Sequence, residues 1–134
     1  MEETIINNNL LPRKIFITGG LKEKIAASLI LGALEDILLF IKKYKNVGVE
    51  EYRTTLVHLL PKERRKRMKK YYRRKKNAEN AYGWIDEEAP ISSLVSFHVA
   101  CMTLGLTTIA VREKLKTTVR DIYEKVSKSS RGRD

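Results

Sequence analysis

The apolar positions of this chain fall at helical spacing, in blocks separated by glycine, proline and short polar stretches. From about Leu21 to Lys45 the sequence reads as one long helix, preceded by the Gly19-Gly20 break and ended near Asn46 or Gly48. Its centre, Ile25 to Ile41, is mostly apolar, which raises the question of a membrane span. The stretch without a charge, Ile25 to Leu34, is only ten residues long, and Glu35 and Asp36 follow at once. A span needs about 20 apolar residues, and each intramembrane carboxylate costs ~2.5–3.5 kcal/mol. The segment reads as a core helix or a subunit contact, and no transmembrane segment is expected.

The pattern continues as helices. A second helix, about Val49 to Leu60, would turn Tyr52, Leu56, Leu59 and Leu60 inward. Pro61 suits the first position of a third, where its missing N–H costs nothing, and Gly83 suits the residue just past its end, so that helix is expected over 61–82. Gly83 to Pro90 reads as an acidic loop containing Trp84, Asp86, Glu87 and Glu88. A largely apolar helix follows from Ile91 to about Leu104. The last runs from Thr107 to about Ser127, with Ile109, Leu115, Val119, Ile122 and Val126 as its buried row. Arg13 to Thr18 is the one short extended piece, and there are no internal repeats. The expected fold class is all-α, a helical bundle of about five helices. A polar arm (1–20) precedes the helical domain (21–127), and a short, flexible basic tail (128–134) follows it. A chain of 134 residues is one domain, long enough to bury a core.

Charge changes the picture. Lys62 to Lys76 reads KERRKRMKKYYRRKK, with eleven Lys or Arg and one acid, Glu63. That window carries +10 of a chain total of +11, so the remaining residues are almost neutral. At 100° per residue, Lys62, Arg65, Lys66, Lys69, Arg73 and Lys76 fall on one stripe roughly 100° wide, and Lys70 and Arg74 flank it. Met68, Tyr71, Ala78, Ala81 and Tyr82 collect on the other side as a docking seam. Like charges at i,i+4 repel and destabilise an isolated helix, so a counter-charge arriving from outside explains the run better than a solvated face does. The basic stretch is about 22 Å long, and duplex DNA carries a phosphate charge every ~1.7 Å of axis, so several phosphates lie within its reach. This is the electrostatic footprint of a protein that grips a polyanion. The candidate nucleic-acid-binding residues are Lys62, Arg65, Lys66, Lys69, Lys70, Arg73, Arg74 and Lys76, with duplex DNA favoured over RNA. Tyr71 and Tyr72 are the rings available to stack on bases, but Tyr71 is assigned to the docking seam.

Other candidate chemistry is thin. Lys14 to Gly20 (KIFITGG) resembles the strand-and-glycine start of a dinucleotide-binding fold. The later glycines of G-x-G-x-x-G are missing and no second strand follows, so the glycines read as a turn before a helix. His98 and Cys101 stand i,i+3 on one helix, but the chain has one other His and no other Cys, so with Phe97, Val99 and Met102 around them they read as core. Nothing marks a base beside Cys101, as a nucleophile would need. Asp86, Glu87 and Glu88 read as solvated, or as set against the basic helix of a neighbouring copy. No metal, no cofactor and no enzymatic activity are expected. A single Cys excludes an internal disulfide, and residues 1–9 lack the basic-then-apolar pattern of a signal peptide, so an intracellular location is expected. The absence of Gln and the abundance of Lys, Arg, Glu and Ile follow the thermophile trend.

Two resemblances bear on function. Cys101 to Leu115 (CMTLGLTTIAVREKL) resembles a helix-turn-helix core. Cys101 takes the small-residue position, Gly105 the turn, Leu106 the apolar position after it, Thr107 the cap, and Val111 and Leu115 the buried row of the second helix. The resemblance implies a DNA-binding transcriptional regulator in which Thr107, Thr108, Arg112 and Lys116 face the major groove. The alternative is a plain break between two core helices. Separately, a short basic all-α chain with a polar N-terminal arm is similar in architecture to the major coat proteins of filamentous archaeal viruses. That similarity implies a DNA-packaging (nucleocapsid) role within a virion and assembly with other copies. No signature motif accompanies it, so it assigns no residue.

Overall fold

The computed structural model describes Leu11 and residues 19–87 and 95–131. The fold class is all-α: five helices and no strand among the described residues. They are α1 (Leu21–Tyr44), α2 (Val49–Thr55), α3 (Pro61–Asp86), α4 (Phe97–Thr103) and α5 (Thr108–Arg131). Among them, no helix is long and apolar enough to cross a membrane.

The long apolar helix α1 is the centre of the bundle. Ala26, Ala27, Ile30, Leu34, Ile37, Leu38 and Ile41 form its buried face, which meets Ala81 and Ile85 of α3, Phe97, Ala100 and Cys101 of α4, and Val111 and Leu115 of α5. The alanines let the partner helices approach closely, and the larger side chains fill the gaps between turns. Leu11 joins this core, so the expected polar arm has at least one buried anchor. The extended piece expected at 13–18 lies outside the described residues. A second, aromatic cluster joins the C-terminal end of α1 to α2 and the middle of α3: Phe40, Tyr44, Tyr71 and Ala78, with Tyr52, Val47, Val49 and Met68 against them. This cluster fixes the rotation of the basic helix.

Helix starts follow the local signals. Pro61 occupies the first turn of α3 with Leu60 extended before it, as a residue preceding proline must be. The Ser96 hydroxyl caps α4 by accepting from the Val99 N–H at 3.1 Å. Several ends differ from expectation. Gly83 does not stop α3, which runs on to Asp86 and closes on Glu87 in the left-handed region (φ 54°). The reason is tertiary. Ile85 is buried, and the Trp84 ring stands edge-on to Phe97 at 5.3 Å while its indole N–H donates to the Val95 carbonyl at 2.9 Å. Those contacts outweigh the ~1 kcal/mol cost of a glycine inside a helix.

The expected acidic loop is therefore half helix. Asp86 ion-pairs with Lys116 (3.0 Å) and Arg112 (3.7 Å), and Glu87 accepts the His98 backbone N–H at 2.8 Å, so neither acid is simply solvated. Glu88 lies outside the described residues. Helix α2 stops at Thr55, and Leu60, expected inside, is 78% exposed. Val95 and Ser96 precede α4, so the apolar helix starts at Phe97; residues 91–94 lie outside the described set. Val99 and Met102 face solvent rather than surrounding a buried His98. In α5, Ile109 is 68% exposed and Val111 takes the buried place, because Val111 lies one turn before Leu115 on the same stripe and Ile109 does not. Helix α5 also continues through the start of the expected tail, to Arg131.

Candidate nucleic-acid interface

The rotation of α3 rests on Tyr71. Its ring is 0% exposed, stacks on Tyr52 at 4.8 Å and meets Tyr44 edge-on at 5.0 Å. Its hydroxyl donates to the Val47 carbonyl at 2.7 Å, tying the helix to the α1–α2 turn. Ala78, Ala81 and Ile85 continue the buried line. Tyr82, expected on this seam, is instead partly exposed at its edge, because the row drifts toward Ala81 and Ile85.

With Tyr71 inward, the opposite side of α3 is set. Lys62, Arg65, Lys66, Lys69, Lys70, Arg73 and Lys76 are exposed, and Arg74 is half-buried. None of these eight closes an ion pair among the described residues. The acids of α3 are used elsewhere: Glu63 holds Arg67 at 3.1 Å and Glu79 holds Lys75 at 3.9 Å. Arg74 lies near Asp36 of α1. Burial raises the Asp36 carboxyl above its ordinary range, and the Arg74 charge works in the opposite direction. Seven of the eight sequence-predicted cations thus share the exposed side of α3, and Arg74 is turned toward α1.

Two cations that the sequence reading did not assign border this face. Lys43, from the last turn of α1, meets Lys70. The close approach of the Lys43 amino group and its like charge hold the Lys70 ammonium below its ordinary range, with some desolvation and repulsion from Arg74 and Arg73 acting in the same direction. A pair of ammonium groups held together gains from an anion placed between them. The Lys-Lys-Tyr-Lys run at 42–45 was the available signal, but cations at a helix C-terminus are equally explained by the helix dipole. On the other flank, Arg53 of α2 donates to the Tyr72 hydroxyl at 3.1 Å and pairs with Glu50 at 3.3 Å.

The helix-turn-helix-like stretch is two helices broken at Gly105. Gly105 adopts φ 69°, α5 starts directly after Thr107, and Cys101, Val111 and Leu115 are buried. Its reading residues are differently placed. Arg112 donates from Nε to the Ile85 carbonyl at 2.9 Å, pairs with Asp86 and lies 5.5 Å from the Phe97 ring centroid. The Thr108 hydroxyl is 2.8 Å from His98 Nδ1, and Lys116 is paired with Asp86. Only Thr107 is exposed without such a contact. Burial pushes the Cys101 thiol above its ordinary range, against the lowering influence of Arg112 and a Thr108 hydrogen bond. Among the described residues no three His, Cys, Asp or Glu side chains converge in a way that could hold a metal. Compared with protein families, curated proteins and solved structures, the chain matches none.

Proposed function

We propose that this chain is a non-enzymatic nucleic-acid-binding protein that neutralises the phosphate backbone through α3, and that it packages or coats duplex DNA as an assembly of many copies. The observation that carries this reading is the set of seven exposed α3 cations that close no ion pair among the described residues, on a helix whose other face is anchored by Tyr71. A cationic row carried on a preformed helix needs no backbone ordering on binding, and each neutralised phosphate releases a condensed counter-ion. Contacts of this kind fix position on the duplex and carry no sequence information. The internal pairing of Arg112, Thr108 and Lys116 supports backbone neutralisation over groove reading.

A second reading, a sequence-reading regulator, rests on the helix break at Gly105 within the helix-turn-helix-like stretch and on exposed Thr107. Selection from random duplexes separates the two. Packaging yields no enriched motif, whereas a regulator yields a palindrome with half-sites about one helical turn apart. The experiment that tests the proposal itself changes Arg65, Lys66, Lys69 and Arg73 together to Glu. Duplex binding should be lost while helicity and melting stay near wild type. Retained binding by a folded quadruple variant contradicts the proposal.

A further inference from the structure

Beside the cationic stripe, the N-terminal half of α3 and Arg53 of α2 border a shallow, open cleft of about 560 Å³. Its surface is mostly apolar, with Met68 and the ring of Tyr72 among its lining, and Arg53, Arg64, Arg65 and Lys69 line it as well. Tyr72 is 44% exposed, in contrast to its buried neighbour Tyr71. Its ring is held from two sides, by the Arg53 guanidinium on its hydroxyl (3.1 Å) and by Tyr71 edge-on at 5.8 Å. Arg64, Arg65 and Lys69 close no ion pair among the described residues, so the cleft keeps its charge. An accessible aromatic face among cations suits a flat apolar ring joined to an anion. A nucleobase and its phosphate have that form.

From this we infer that the cleft between α2 and α3 holds an unpaired nucleotide of a single strand, with the base stacked on Tyr72 and the flanking phosphates on Arg64, Arg65 and Lys69. The inference rests on the backbone-binding reading and deepens it. A strand following the α3 stripe passes the mouth of the cleft, because Arg65 and Lys69 belong to both. A paired base cannot enter, since its faces are already stacked within the duplex. The cleft therefore adds affinity for single strands alone, and without base preference, because every base offers a π-face.

The test compares a thymidine oligonucleotide of twenty residues with a duplex of the same length, on the full chain and on Tyr72→Ala and Tyr72→Phe. Stacking on one aromatic ring predicts that Tyr72→Ala weakens single-strand binding about tenfold, while the ratio of single-strand to duplex affinity falls by a similar factor. Tyr72→Phe keeps the ring and should stay close to wild type. Ultraviolet crosslinking of a 5-iodouracil-substituted strand to the unaltered protein should place the adduct on Tyr72, whatever the stability of the variants. Equal loss on both ligands, no loss on either, or adducts that avoid Tyr72 overturns the inference. If the unaltered protein binds duplex but not the oligonucleotide, the cleft proposal fails and the backbone reading stands. If it binds neither, both fail.

Discussion

Truncating Tyr71 to alanine tests the orientation of α3, on which the interface depends. The ring is fully buried, packs against Phe40, Tyr44 and Tyr52 at centroid distances of 5.6, 5.0 and 4.8 Å, and donates a 2.7 Å hydrogen bond to the Val47 carbonyl. Removing a large buried aromatic ring costs about 3–5 kcal/mol, and the carbonyl left without its donor adds to that. These contributions overlap, so about 4 kcal/mol is expected in total, a large share of the ~5–15 kcal/mol that holds a typical domain together. For a chain of this size the melting temperature should fall by roughly 12–20 °C. Tyr71→Phe keeps the packing and loses only the hydroxyl contact, so it should cost about 1–2 kcal/mol. Circular dichroism melts and urea titrations of the two variants provide the comparison. Below its melting transition, Tyr71→Ala should still bind duplex DNA, because the cations face the other way. If it melts with the wild type yet no longer binds, Tyr71 faces the ligand and the orientation of α3 is wrong.

Other consequences follow from individual contacts. Arg112→Ala removes a charged donor from the Ile85 carbonyl, so it should destabilise the fold by about 1.5–3 kcal/mol while changing duplex affinity by less than ~1 kcal/mol; the opposite pattern in melts and binding assays would restore Arg112 as a base reader. The Tyr44 hydroxyl is buried without a hydrogen-bond partner among the described residues, so Tyr44→Phe should be neutral to about 1 kcal/mol stabilising at pH 7, and a loss of stability in the melt would show an unseen partner. The same hydroxyl gives a pH signature: burial, then the nearby Tyr52, raises the Tyr44 phenol above its ordinary value near 10, and Arg74 and Arg73 oppose this. A raised folded-state pKa means that this contribution is complete below about pH 10 and is lost as pH rises through the folded value, so Tyr44→Phe should lose stability less steeply than wild type over that window.

Much of the fold could be read from local pattern. The apolar run of α1, Pro61 ahead of α3, and the inward turn of Tyr71 all followed from helical spacing. The misplaced boundaries were decided by partners distant in sequence. Gly83 stays helical because Trp84 meets Phe97 and Val95. The choice between Ile109 and Val111 is instructive. Both are apolar β-branched residues in one helix, but Val111 stands four residues before Leu115 and continues its row, whereas Ile109 stands six before it and falls about 120° off that stripe. Helical spacing alone separates them, and the helix-turn-helix pattern carried that information by placing Val111 and Leu115 inside. For the site, the cationic stripe was legible because one helix supplies it. Lys43 and Arg53 were not, since their place beside Lys70 and Tyr72 depends on how α1 and α2 dock, which no short-range spacing encodes.

The central claim is that α3 binds the phosphate backbone, and the salt dependence of duplex binding tests it most directly. Each neutralised phosphate contributes about −0.9 to the slope of log K against log salt, so a stripe engaging about five phosphates predicts a slope near −4 to −5. Two unrelated duplexes of equal length should give the same slope and closely similar affinities. A slope shallower than about −2, or a preference above about a hundredfold for one duplex, would contradict backbone neutralisation by α3.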